Sequence, residues 1–461
     1  MSRSNTVEPV DDPGADRDPA RLAADHARPA TTMRADARLS EWLEYIGAVH
    51  PKSIAMGLER VSEVRRAMKL APQFPVITVG GTNGKGSTCA MMEAILSAAG
   101  HRVGCYTSPH LFLFNERIRI GRRSVSDVDI IAAFEQVEAS RRAVPLTYFE
   151  FATLAAVKTF VDREVDVAIL EVGLGGRLDA VNVFDADCAV ITGISIDHVD
   201  YLGDTREAIG YEKAGIFRPG RPAICADPDP PQSMLHCARV TGARLMRLGD
   251  AFHFAARPRQ WDFTCGEETL RNLPYPALRG RFQVRNASAA IAALRSLSNL
   301  PLPVTAEHIA TGLRDARLPG RFQVLREAPT VVVDVAHNPE AAVSLAENLA
   351  TSGPFDRTFA VFAMLGDKDI AGVINAIHGC IDIWLIADLR TDRGAPADRL
   401  RRELREAGVP GASIVSFDNP TLAYSAALER ARAGDRVIVF GSFHTVAAAM
   451  LSHDLKAPQA P

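Results

Sequence analysis

The chain has 461 residues, 47% of them hydrophobic and 23% charged, which suits a protein filling more than one core and argues against wholesale disorder. A formal net charge of −3 leaves no global basic field for a nucleic-acid backbone. Seven scattered cysteines, never at C-x-x-C spacing, argue against a disulfide frame or a zinc cluster and fit a cytoplasmic location.

Residues 1–37 are rich in Asp, Arg, Ala, Pro and Thr and predict a flexible N-terminal tail. No apolar run there or elsewhere is long enough for a signal peptide or a membrane span. From Leu39 the spacing of Trp42, Leu43, Tyr45 and Ile46 predicts an amphipathic helix. Apolar runs at 76–79, 167–170 and 189–192 alternate with helical stretches, as expected of parallel strands covered on both faces. After the break Leu318-Pro319-Gly320-Arg321, runs at 331–333, 359–362, 384–387 and 437–440 predict a second α/β unit. The expected division is a nucleotide-binding domain over 38–318 and a smaller α/β domain over 319–461.

The first of these strands leads into Gly80-Gly81-Thr82-Asn83-Gly84-Lys85-Gly86-Ser87-Thr88 and then a helical pattern at 90–96. Strand, glycine loop and helix form a phosphate cradle: glycines admit backbone N–H groups, the helix N-terminus adds its dipole, and Lys85 supplies a cation. The fit to G-x-x-x-x-G-K-[ST] is imperfect, because Val79 takes the first glycine position and Gly86 separates Lys85 from Ser87. Glu171 ends an apolar run, where open α/β sheets place ligands, and a carboxylate there suits Mg²⁺ beside phosphates. The following Gly173-Leu174-Gly175-Gly176 is not a dinucleotide fingerprint, since Leu178 stands at the third glycine position. His198 after a run ending at Ile196, and Lys213 on a helical stretch over 207–216, read by themselves as a structural histidine and a surface lysine.

The loop with the extra glycine resembles that of the Mur ligase superfamily, and within it the folylpolyglutamate synthase/dihydrofolate synthase family. Further blocks follow in that family's order: Thr107-Ser108-Pro109-His110-Leu111, Asn115-Glu116-Arg117-Ile118, Glu171 through Ala180 with Val181-Asn182 where Thr-Asn is more usual, Asp197-His198, Glu212-Lys213-Ala214-Gly215-Ile216, Asp334-Val335-Ala336-His337-Asn338-Pro339, and Gly441-Ser442-Phe443-His444-Thr445-Val446. The resemblance runs from about residue 39 to 451. It implies a P-loop-type Mur ligase central domain with a mostly parallel sheet, followed by a smaller Rossmann-like α/β domain.

It also implies roles. Thr82, Asn83, Gly84, Lys85, Gly86 and Ser87 would bind ATP with Asn286 at the adenine, Arg321 at the phosphates and Asp334 at the ribose. Chemistry alone points to Ser87 as a metal ligand; the resemblance instead gives Ser108, Glu171 and His198, with Lys213 carbamylated to serve a second Mg²⁺. A monovalent cation is a further expectation. Thr147, Tyr148, Phe149 and Glu150, with Leu178, Asp179 and Ala180, would form the dihydropteroate site, Phe149 stacking on the pterin and Asp179 accepting its N–H groups. His337 and Ser442 fall to glutamate, and Lys85, Lys213, Arg321 and His337 to catalysis. The expected reaction is carboxylate activation by ATP as an acyl phosphate, then attack by the amine of glutamate, in a monomer acting on small molecules. Two other readings stand beside it: a Mur-type ligase for another carboxylate, and a nucleotide-binding regulator with slow ATPase.

Overall fold

A computed structural model describes residues 37–52, 54–297, 300–301 and 303–453. The predicted tail, apart from Ala37, lies outside the described residues. The first sheet comprises β1 (Val76–Gly80), β2 (Val103–Tyr106), β3 (Ile118–Ile120), β4 (Arg123–Ser124), β5 (Val167–Glu171), β6 (Cys188–Ile191), β7 (Pro222–Cys225) and β8 (Arg244–Arg247). Their order is β4-β3-β2-β5-β1-β6-β7-β8, parallel except where β3 pairs antiparallel with β2 and β4. β1 is buried along its whole length, as its two apolar faces require.

A three-stranded antiparallel sheet follows, β9 (Phe252–Ala256), β10 (Gln260–Cys265) and β11 (Glu268–Pro274), in the order β11-β10-β9. The second large sheet contains β12 (Gln323–Glu327), β13 (Thr330–Val333), β14 (Thr358–Phe362), β15 (Ile383–Ala387), β16 (Ile414–Phe417) and β17 (Arg436–Phe440), ordered β12-β13-β17-β14-β15-β16. Only the β12–β13 pair is antiparallel. All seven predicted runs are strands, and the sheets are mostly parallel within an α/β fold. The antiparallel sheet was not foreseen: its strands alternate buried Trp261 and Phe263 with polar residues rather than forming continuous apolar runs.

The helices that position the site are α1 (Lys85–Ala98), α2 (Tyr148–Asp162), α3 (Arg206–Ala214), α4 (Phe282–Ser296), α5 (Ala306–Asp315), α6 (Pro339–Thr351) and α7 (Phe443–Ser452). Met91, Met92, Ile95 and Leu96 of α1 are fully buried in the cluster that also takes up α4 and α5. α5 comes so close that a Cβ on Gly312 would lie 2.5 Å from the Ile95 backbone. The carboxyl ends of β1, β5 and β6 carry the phosphate loop, Glu171 and the 192–198 segment; those of β13, β14 and β17 carry 334–338, 363–368 and 441–443. These two sets of strand ends meet across a polar seam, where Asn83 Nδ2 donates to Asn338 Oδ1 (3.1 Å) and Glu340 Oε2 (2.6 Å), and Lys368 Nζ donates to Asp197 Oδ1 (2.6 Å).

Candidate active site

The phosphate loop is shaped by two glycines with no substitute. Gly81 and Gly84 have φ of +140° and +88°, and a Cβ would lie 2.0 Å from Thr192 Oγ1 and 2.6 Å from Asn286 Oδ1 respectively. The loop is braced from the end of β6: Thr192 Oγ1 donates to Asn83 O at 2.6 Å, and Thr82 Oγ1 donates to Ser195 O at 3.0 Å. Lys85, the first residue of α1, folds its ammonium over the carbonyls of Gly81 (3.0 Å) and Thr82 (3.1 Å). Ser87 Oγ is buried and accepts from Gln283 Nε2 at 3.3 Å, while Gly86 faces the Glu171 carboxylate.

Glu171 is 4% exposed and accepts the Ser108 N–H on Oε2 at 3.0 Å. Burial raises its pKa, with Lys85 chief among the opposing charges. A buried carboxylate that forms no ion pair among the described residues calls for a cation. His198 sits at φ +54°, a left-handed conformation unusual outside glycine. Burial lowers it to about 4, so its imidazole is neutral and able to ligate a metal. No group of three or more His, Cys, Asp or Glu that could hold a metal occurs among the described residues. Glu171, His198 and Ser108, the donors that the resemblance implies, all line the cleft, and a carboxylate, an imidazole and a hydroxyl would suit Mg²⁺ completed by phosphate and water.

Lys213 corrects the surface reading that its position suggested: it is 3% exposed. Burial, then the neighbouring Lys85, lowers it to about 7, against the pull of Asp197 and Asp179. Asp197 itself is held well below the usual carboxylate range; burial opposes this, but Lys368, His198 and His337 outweigh it.

From the other side of the seam, His337 donates Nδ1–H to Val335 O at 2.9 Å and is lowered to about 4, first by burial and then by Lys368. The Arg321 guanidinium lies 5.1 Å over the Phe443 ring, its positive charge facing Asp334 and Glu171. Asp334 accepts from the N–H groups of Phe322 and Ala336, both at 2.8 Å. One cleft is lined by the predicted Thr82 to Ser87, Ser108, Glu171, His198, Lys213, Asn286, Arg321, Asp334 and His337.

The remaining expected residues do not reach the wall of that cleft. Ser442 is buried as the N-cap of α7, its hydroxyl accepting from Thr445 N at 3.1 Å. Thr147 and Glu150 form the capping box of α2, and Glu150 also pairs with Arg60 at 2.9 Å. Leu178 accepts the Gly57 N–H on its carbonyl, and Ala180 is buried. Asp179 accepts from Leu174 N (2.8 Å) and Val181 N (3.0 Å), and burial raises it to about 6. Phe149 and Asp179 stand directly behind the wall: Phe149 packs on Gly173 and Asp179 on Leu174, and both of those line the cleft. Tyr148 opens α2 beside them.

Several site residues were missed. Lys368 follows β14 in Gly366-Asp367-Lys368-Asp369, a charged cluster after an apolar run that could have been flagged by its place at a strand end. Asp197, Asn338, Glu340 and Arg285 line the cleft or its seam.

A phosphate loop on a parallel sheet, facing a second α/β unit across a cleft of carboxylate, imidazole and cationic groups, defines an ATP-dependent ligase of the Mur type. Residues 79–294 match the Mur ligase middle domain, and 320–443 the Mur ligase glutamate ligase domain. The chain is 44% identical to the dihydrofolate synthase/folylpolyglutamate synthase of Escherichia coli K12 over 420 residues, covering 91% of this chain and 96% of that one. The E. coli FolC structure in complex with DHPP and ADP superposes with a TM-score of 0.87 at 44% identity, covering 92% and 99% of the two chains. The Yersinia pestis bifunctional folylpolyglutamate synthase/dihydrofolate synthase complexed with AMPPNP and Mn gives 0.84 at 44% identity, covering 91% and 99%. The chain belongs to the dihydrofolate synthase/folylpolyglutamate synthase family.

Proposed function

We infer that this enzyme joins L-glutamate to 7,8-dihydropteroate, forming dihydrofolate, and to tetrahydrofolate, extending its glutamate chain, with ATP and a divalent metal. The observation that carries this reading is the cleft, where phosphate loop, buried Glu171, neutral His198 and Arg321 converge between the two sheets. A carboxylate has no good leaving group, so it must first be phosphorylated. Loop N–H groups and Lys85 would hold the triphosphate, and Arg321 would neutralise charge on the transferring phosphoryl group. Ser108, Glu171 and His198 would hold Mg²⁺, which when bound screens the phosphate oxygens. His337 and Lys368 would orient the incoming glutamate so that its free amine attacks the acyl phosphate and expels phosphate, with water excluded by the closed seam.

Lys213 would serve as a carbamate: its neutral amine adds to CO₂ and releases one proton, giving an anion for a second Mg²⁺. Asn286 would meet adenine and Asp334 the ribose side. Phe149 and Asp179 would frame the pterin, the Asp179 carboxylate retaining a lone pair beyond the backbone N–H groups of Leu174, Val181 and Gly173. Thr147, Tyr148, Glu150, Leu178 and Ala180 would shape that pocket, and Ser442 would hold the glutamate side by fixing α7. We place the domain boundary between 318 and 319, and propose a cytoplasmic monomer; seven unpaired cysteines suit a reducing compartment. No helix among the described residues is long and apolar enough to cross a membrane.

The test is product mass spectrometry on purified protein with ATP, Mg²⁺ and glutamate, using dihydropteroate and tetrahydrofolate as separate acceptors. A mass gain of one glutamate with matching ADP is expected for each. ADP release independent of any acceptor would point to a nucleotide-binding regulator instead.

A further inference from the structure

Arg117 is a cation without an assigned task. It follows Asn115-Glu116, and its backbone carbonyl accepts the Thr107 N–H at 2.9 Å, which fixes it one residue from Ser108. Its guanidinium is half-buried, 5.6 Å over the Tyr148 ring and 5.8 Å over that of Phe114. Nε donates to His110 Nδ1 at 2.8 Å. No carboxylate pairs with it among the described residues. The adjacent acid, Glu116, is fully engaged by the N–H groups of Leu111, Phe112 and Leu113 at 2.7–2.8 Å. Arg117 is thus a fixed guanidinium, stacked on aromatics, with both Nη groups unspent. An arginine so placed is suited to a planar carboxylate.

Its position says which one. On one side, through Tyr148, it borders Phe149 and the pocket proposed for the pterin. On the other, through His110, it borders Ser108 and the phosphoryl-transfer site. The middle of an acceptor molecule would lie alongside it. Dihydropteroate has one carboxylate, and that group must enter the phosphoryl-transfer site. A folate ending in glutamate has two: the γ-carboxylate must react, and the α-carboxylate is left as a free anion close to the reacting end.

We propose that Arg117 binds the free α-carboxylate of a glutamylated acceptor and so selects for chain extension over the first ligation. This rests on the folate-ligase reading above. The charge pair positions the γ-carboxylate toward ATP by fixing its neighbour, while dihydropteroate needs no such contact.

The experiment compares wild type, Arg117→Gln and Arg117→Lys with three acceptors: dihydropteroate, tetrahydrofolate, and tetrahydrofolate carrying a carboxamide in place of its α-carboxylate. Losing a charge-assisted contact should raise the KM of Arg117→Gln for tetrahydrofolate roughly tenfold to hundredfold, with kcat little changed. Its KM for dihydropteroate should stay within about threefold of wild type, which also reports that the variant is folded. Wild type should handle the carboxamide as poorly as Arg117→Gln handles tetrahydrofolate, and the Gln variant should not distinguish the two. Arg117→Lys should recover part of the loss. Equal losses on dihydropteroate and tetrahydrofolate, or a wild type indifferent to the carboxamide, would overturn the assignment. A wild type that ligates neither natural acceptor would instead sink the folate-ligase reading, and the proposal with it.

Discussion

Lys213 is almost fully buried beside another lysine, and burial brings its ammonium down from 10.5 to about 7. Near neutral pH a substantial fraction is the free amine, the only form that can add CO₂. Turnover should therefore fall on the acid side with a midpoint near 7, and added bicarbonate should move that midpoint lower by drawing the amine into the carbamate. A kcat profile against pH that ignores bicarbonate would remove the carbamate from the mechanism. Linkage gives a second outcome for the uncarbamylated protein. Between about pH 7 and 10.5 the unfolded chain binds the proton that the folded one has lost, so this group makes stability rise with pH in that window. Lys213→Met should abolish turnover, raise the melting temperature at pH 7 by roughly a few degrees, and flatten that rise. Lys213→Ala should likewise be inactive, with partial rescue by short carboxylic acids.

The element that carries the phosphate loop is α1, and its stability is decided by how closely α5 approaches it. At Gly312 the approach is to the Ile95 backbone, which cannot rotate away as a side chain would. Gly312→Ala should cost about 1–3 kcal/mol, read as a lower denaturant midpoint, and should raise KM for ATP by tilting α1. On the same helix the buried Glu93 pairs with the half-buried Arg119 at 2.9 Å. Arg119→Met would strand the carboxylate and should cost about 3–5 kcal/mol in denaturant unfolding. An unchanged midpoint in either variant would contradict these packing arguments. None of this was legible in the sequence, because a helix-to-helix approach is a tertiary fact that Gly312 alone does not announce. The seven apolar strands were legible, since continuous runs on both faces admit little but a covered parallel sheet. The strand ends were legible with them, and so most cleft residues. Lys213 was misread by position alone because helical spacing does not say which face is covered. The cap roles of Thr147, Glu150 and Ser442 were equally hidden, although Thr147 and Glu150 hold the spacing of a capping box.

Across the whole molecule the question is what couples the two α/β units, whose cores are separate clusters on either side of the seam. Leu111 and Phe112 of the first unit pack on the C-terminal core, and beside that apolar contact a set of polar ones joins the two units at the cleft. Lys368 donates to Asp197 Oδ1 at 2.6 Å and lies 3.2 Å from His198 Nε2; Asn338 donates to Asp197 Oδ2 at 3.1 Å. Lys368 is thus the cation that holds Asp197 ionised inside the seam, and the C-terminal unit supplies it. Replacing it with Met leaves Asp197 buried without its principal partner, so the seam should open rather than either core unfold. Lys368→Met is therefore expected to lower kcat at least roughly tenfold with both acceptors, while the denaturant midpoint moves by less than about 1 kcal/mol and protease cleavage near 318–321 quickens. Loss of stability equal to that of the Arg119 variant, with no change at the linker, would show that Lys368 supports a core and not the closure of the cleft.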